Sequence, residues 1–103
     1  MSTTLQGLGV PDNELLPLLR RWHVGKLALF GSFARGEARP DSDVDLMVTF
    51  LPGQSPSLWD FVGMKDEFEA LFKRPVDLVV EGSVRNPIRR RSMERDLTVI
   101  YAA

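Results

Sequence analysis

The sequence predicts an α/β (α+β) domain with a mixed sheet of about four strands and helices mainly on one face. Three observations carry this. Asp43, Asp45, Met47 and Thr49 alternate with Val44, Leu46 and Val48, a period of two that belongs to a strand with one apolar face. Apolar residues recur near helical spacing in 12–24 and again in 57–73. These helical stretches are interleaved with short apolar runs, in an order suited to a helix layer packed on a sheet.

Residues 1–10 are small and polar and read as a loose lead-in to one domain over 1–103. In 12–24 the helix carries Leu15, Leu16, Leu18, Leu19 and Trp22, with Asp12 or Asn13 placed to cap it. Pro17 must sit in its first turn or kink it. His23 reads as a helix-end residue without chemistry. Residues 26–30 form a short apolar run ending at Gly31, expected to be a buried strand, and 33–40 starts as a helical turn and ends as a loop. Two prolines and a glycine make 51–56 a loop. Ser57 caps a helix over 57–73, with Leu58, Phe61, Val62, Phe68, Leu71 and Phe72 on its core face; Trp22, Phe30 and the helix phenylalanines are assigned to the core, as is Trp59, whose alternative is an exposed binding position. A third strand spans 75–80. Asn86 caps and Pro87 opens a short helix bearing Arg85, Arg89, Arg90, Arg91 and Arg95. Its arginines are read as a solvated face with Arg91 paired to Glu94, the alternatives being contact with an acidic partner or RNA. Residues 97–101 are expected to form an edge strand.

Composition removes several function classes. The chain has 103 residues, no cysteine, one histidine and a formal net charge of −1. Thiolate metal sites and disulfides are excluded, and any metal must be held mainly by oxygen ligands. The charge balance does not support a general nucleic-acid coat, so nucleic acid is not expected as a direct ligand. The N-terminus lacks the basic start and apolar run of a signal peptide, and no stretch has the length of a membrane span. A cytoplasmic protein is expected.

The chemistry concentrates in LALFGSFARGEARPDSDVDLMVTF and the later PVDLVV. Asp43 and Asp45, two apart on a strand, face one side with Cα atoms about 7 Å apart. Two metal ions in a phosphoryl-transfer site lie about 3.5–4 Å apart, so such carboxylates can bracket a pair. Oxygen ligation suits Mg²⁺ or Mn²⁺. Asp77 precedes Leu78-Val79-Val80 much as Asp45 precedes Leu46-Met47-Val48. On a neighbouring strand about 4.8 Å away it joins the same site, to ligate metal or take a proton. Gly31-Ser32 ends a strand and opens a helical turn, where backbone N–H groups and the Ser32 hydroxyl can cradle phosphates. Arg35 and Arg39 lie in the same loop, open to either phosphate contact or solvent. If these groups meet, the strands ending at Gly31 and starting at Asp43 are antiparallel. Those starting at Asp43 and near Asp77 are then parallel, joined by the long helix as a right-handed crossover.

The pattern G-S-x₁₀-D-x-D, here Gly31, Ser32, Asp43 and Asp45, resembles the nucleotidyltransferase superfamily of DNA polymerase β. The short length and the later VDLVV are similar to its minimal nucleotidyltransferase (MNT) branch. The resemblance covers roughly residues 15–101. It implies that Gly31 and Ser32 hold the triphosphate of an NTP, with ATP the expected donor. Asp43 and Asp45 bind Mg²⁺, expected as two ions, and Asp77 is the third carboxylate, base or ligand. Many members are antitoxins that neutralise a HEPN-domain ribonuclease toxin by binding, by adenylylating a toxin tyrosine, or both. Larger relatives carry a helical region beside the acceptor, and this chain ends soon after its fourth strand. The acceptor wall is therefore expected from a bound protein in a hetero-oligomer. The competing expectations are an antitoxin that acts by binding alone and a small-molecule (antibiotic) nucleotidyltransferase.

Overall fold

The computed structural model describes residues 12–37, 39, 42–81, 87, 88, 91, 95 and 97–103. The elements run α1 (Asp12–Arg21), β1 (Val24–Phe30), α2 (Ser32–Arg35), β2 (Val44–Phe50), α3 (Leu58–Phe72), β3 (Val76–Val80) and β4 (Thr98–Ala102). The strands form one sheet in the order β3-β2-β1-β4. β1 is antiparallel to both β2 and β4, whereas β2 and β3 are parallel and joined through α3. The expected mixed sheet, strand directions and edge position of the last strand are all present.

Alternation along the strands sorts the side chains between the two faces. Leu27, Leu29, Val44, Leu46, Val48, Val76, Leu78 and Ile100 are buried in one cluster with Leu15, Leu18 and Leu19 of α1 and Met64, Phe68 and Phe72 of α3. The two long helices thus cover one face. On the other, Phe30 and Met47 are buried, with Val79 and Leu97 packed against them. Within α3 the rings of Phe68 and Phe72 stack with centroids 6.0 Å apart. The α3 start carries a full capping box: the Ser57 hydroxyl accepts from the Asp60 N–H, and the Asp60 carboxylate accepts from the Ser57 N–H. Glu67 ties the helices together, accepting from the Trp22 indole at 2.6 Å and pairing with Arg21.

Several sequence expectations are corrected. α1 stops at Arg21 and β1 starts at Val24, because the chain reverses at His23, whose φ of 57° ends the helix. Of the two placements expected for Pro17, the structure has the helix interior, at an exposed position. Leu58, Trp59 and Val62 are not core residues; they are 74, 81 and 42% exposed. At about 100° per residue, Trp59 lies roughly half a turn from the buried Met64–Phe68–Phe72 stripe. The lead-in at 1–10, the cap at Asn86, Arg85, Arg89, Arg90 and the Arg91–Glu94 pair lie outside the described residues. Pro87, Ile88, Arg91 and Arg95 are helical and exposed. No helix among the described residues is long and apolar enough to cross a membrane.

Candidate active site

β1 delivers the chain to its last paired residue, Phe30, which sits opposite Asp45 of β2. The next residue, Gly31, has φ 72° and ψ −148°, a conformation essentially closed to any residue with a Cβ. A second constraint acts at the same position. A Cβ built on Gly31 would overlap Asp45 Oδ2 and lie 3.1 Å from Asp45 Cγ. The backbone therefore requires glycine here, and a methyl would also displace the Asp45 carboxylate seated against it. Ser32 then opens α2, and its N-cap, Gly31, offers no side-chain cap. Gly36 closes the turn in the left-handed region, and the Glu37 N–H returns to the Ser32 carbonyl at 2.9 Å.

The aspartates come from two strands. In the parallel ladder Asp45 pairs in register with Asp77, and both lie on the face away from the helix layer, with Met47 and Val79. Asp45 is half-buried and Asp77 exposed. Asp43 is exposed and immediately precedes β2, whose first N–H, from Val44, donates to the Pro75 carbonyl at 2.9 Å. The ladder thus extends to the edge where Asp43 emerges, two residues from Asp45. The start of β3 is fixed by Glu69, whose carboxylate accepts the Val76 N–H at 2.9 Å. That bond, with a lesser contribution from Lys65, holds the Glu69 carboxyl below the usual carboxylate range.

The structure thus gathers Gly31, Ser32, Asp45 and Asp77 at one end of the sheet, with Asp43 at its rim. The donor set is all carboxylate oxygen, which fits a hard divalent cation. Among the described residues, however, no three acidic or histidine side chains already form a ready-made cage. Like-charged carboxylates have no reason to crowd together before a cation compensates them. Arg35 donates from Nε to Glu37 at 3.0 Å, so a phosphate would have to compete with this exposed pair. Arg39 is exposed in the loop, held by its own N–H donating to Ser42 Oγ at 2.7 Å.

One residue of this end escaped the sequence reading. Arg74 lies between α3 and β3, its guanidinium 5.0 Å above the Phe33 ring centroid, and Nη1 donates toward the Arg39 and Ser42 carbonyls. Its signal is slight: an arginine before a proline, three residues ahead of the third aspartate.

Comparison with known proteins settles the family. The model of the nucleotidyltransferase domain matches residues 14–100. The chain belongs to the nucleotidyltransferase family. It is similar to the protein adenylyltransferase MntA of Thermococcus cleftensis, 41% identical over 73 residues, which are 71% of this chain and 72% of that one. It is also similar to a solved minimal nucleotidyltransferase, with 37% identity, a TM-score of 0.65, and 84 and 85% of the two chains covered. A tri-AMPylated Shewanella oneidensis HEPN toxin in complex with MNT antitoxin is a third match. Its TM-score is 0.63 at 17% identity, over 88% of this chain and 69% of that one, a likeness of fold.

Proposed function

We propose that this chain is a Mg²⁺-dependent protein adenylyltransferase. It transfers AMP from ATP to a hydroxyl, a tyrosine of a HEPN-domain ribonuclease toxin, and so serves as the antitoxin in a cytoplasmic hetero-oligomer. The observation that carries this reading is the pairing of Asp45 with Asp77 beside a glycine whose missing Cβ leaves room for the Asp45 carboxylate. The adenylyltransferase relative supports the choice of AMP and of a protein acceptor. The fold shared with an MNT antitoxin bound to an AMPylated HEPN toxin supports the partner.

The chain's own residues divide the work. The first-turn amides after Gly31 and the Ser32 hydroxyl receive the β- and γ-phosphates, as helix starts receive anions. Arg39 is free to swing from its exposed loop onto phosphate oxygens, and Arg35 can follow only by leaving Glu37. Asp43, Asp45 and Asp77 are the residues that would hold Mg²⁺, which would supply positive charge to the transferring phosphates. Asp77, on the exposed strand end, takes the proton of the acceptor hydroxyl or completes the oxygen shell. The hydroxyl oxygen bonds to the α-phosphorus in line as the bond to the β-phosphate breaks, and pyrophosphate leaves.

The test is transfer of label from α-³²P-ATP, with Mg²⁺, to the cognate HEPN protein. Label on that protein is expected, and it should fall to background with Asp45→Asn. An unlabelled partner in the presence of active, folded enzyme contradicts the reading. Neutralisation that survives in the double variant Asp43→Asn/Asp45→Asn points instead to binding alone. Turnover onto an aminoglycoside without any protein partner points to a small-molecule transferase.

A further inference from the structure

We propose that Arg74 is a positioning residue that clamps three separately folded pieces of the adenylyl-transfer site into one geometry; the proposal rests on the reading of that site given above. The three pieces are the phosphate turn, the backbone at Arg39 and Ser42 ahead of Asp43, and the strand bearing Asp77. No hydrogen bond of the sheet joins the first to the third, since β1 and β3 lie on opposite sides of β2. Arg74 makes that connection with one side chain.

Its backbone is fixed from both sides. Lys73, the α3 C-cap, is in the left-handed region at φ 57°, and Pro75 restricts Arg74 to extended conformations. The Pro75 carbonyl accepts from Val44, which locks this corner to β2. From there the guanidinium reaches across to Phe33, the residue after Ser32, and covers its ring at 5.0 Å. A planar cation on an aromatic face is attracted by the ring's electrons, the more so as it loses water. Nη1 is shared between the Arg39 carbonyl at 3.4 Å and the Ser42 carbonyl at 3.3 Å. Each is long for a single hydrogen bond, but the donor is charged. The Ser42 carbonyl belongs to the peptide unit whose nitrogen is that of Asp43. Pulling on it sets where the Asp43 carboxylate emerges, and the ring contact sets where Ser32 stands. Arg74 itself lies three residues ahead of Asp77. Lysine cannot reproduce this, because an ammonium lacks the flat face that covers the ring.

The experiment compares Arg74→Met and Arg74→Lys with the parent by steady-state AMP transfer to the HEPN protein and by amide hydrogen exchange without ATP. Arg74→Met should lower kcat about 10–100-fold, the scale set by small misplacements of reacting groups. KM for ATP should move less than threefold. The Glu37, Ser42 and Val44 amides should exchange at least about tenfold faster, while those of Leu29 and Leu46 keep their rates. Arg74→Lys should fall between Met and parent in both readouts. A kcat within twofold of the parent in Arg74→Met overturns the proposal. So does a lost kcat with unchanged exchange, which makes Arg74 a substrate contact. Acceleration spread evenly over the sheet in both variants also overturns it, because that is general destabilisation. If the parent transfers no AMP, the functional reading fails on its own, and exchange still decides whether Arg74 holds these segments.

Discussion

Replacing Gly31 with alanine separates backbone strain from damage to the site. The residue occupies φ 72°, ψ −148°, and holding a non-glycine residue there costs on the order of 1–3 kcal/mol. In a domain of this size each kcal/mol lowers Tm by about 4–8 °C, so a fall of roughly 10 °C is expected. The added methyl also meets the Asp45 carboxylate, with Cγ only 3.1 Å away and Oδ2 closer still. Restoring ordinary contact at about 3.5 Å requires the carboxylate or the turn to retreat by roughly 1 Å. A misplacement of that size costs about 10²-fold in rate. Gly53→Ala is the control: it also has positive φ, 81°, yet a methyl there would meet nothing within 4 Å. It should lose Tm and keep its rate. Thermal denaturation and AMP transfer measured on both variants suffice. Equal loss of activity in the two, or a Gly31→Ala enzyme within threefold of the parent, refutes the steric argument.

Four further outcomes are expected. Phe68→Ala removes a fully buried ring stacked on Phe72 and should cost about 3–5 kcal/mol, seen as a large drop in urea midpoint. Ser57→Ala dismantles the α3 capping box and should cost about 1 kcal/mol by the same assay. Trp59→Ala, on the solvent side of α3, should change stability by less than about 0.5 kcal/mol; a core-sized loss would show that Trp59 is covered. Glu81 is held below the ordinary glutamate range by the Thr49 hydroxyl and then by Lys26. Its ionised form therefore stabilises the fold above the unfolded-state pKa, and that contribution is lost as pH falls through the lowered folded value. The urea-midpoint gap between parent and Glu81→Gln should be present near neutral pH and shrink as pH falls below the ordinary glutamate range.

The legible parts of this fold were those governed by short-range pattern. The Asp43–Thr49 alternation marks β2 because a strand sends neighbours to opposite faces, and it places Asp45 away from the helix layer without further information. The strand directions follow from requiring Gly31-Ser32 to meet Asp43 and from Asp77 standing in its strand as Asp45 does in β2, and the observed ladders have those directions. Phase along α3 was not legible in the same way. Leu58, Trp59 and Val62 are apolar, and composition alone does not say that the buried stripe runs through Met64, Phe68 and Phe72 instead. The end of α1 was misplaced because His23, a residue with a Cβ, takes the left-handed turn that glycine usually marks. Arg74 was missed because its partners, Phe33, Arg39 and Ser42, are remote in the chain and two of the contacts are to carbonyls, which every residue offers.

The parallel pairing of β2 with β3 has a consequence for the order in which competence arises. β1 and β2 can meet as a local hairpin, but Asp77 reaches Asp45 only after the chain has passed through α3 and come back across the sheet. Such long-range closure is the slow part of folding. A half-formed molecule thus holds the glycine turn and two aspartates but not the third. Acquisition of transferase activity during refolding should therefore lag hairpin formation and coincide with the last cooperative phase, making catalysis a built-in report that the chain has finished folding.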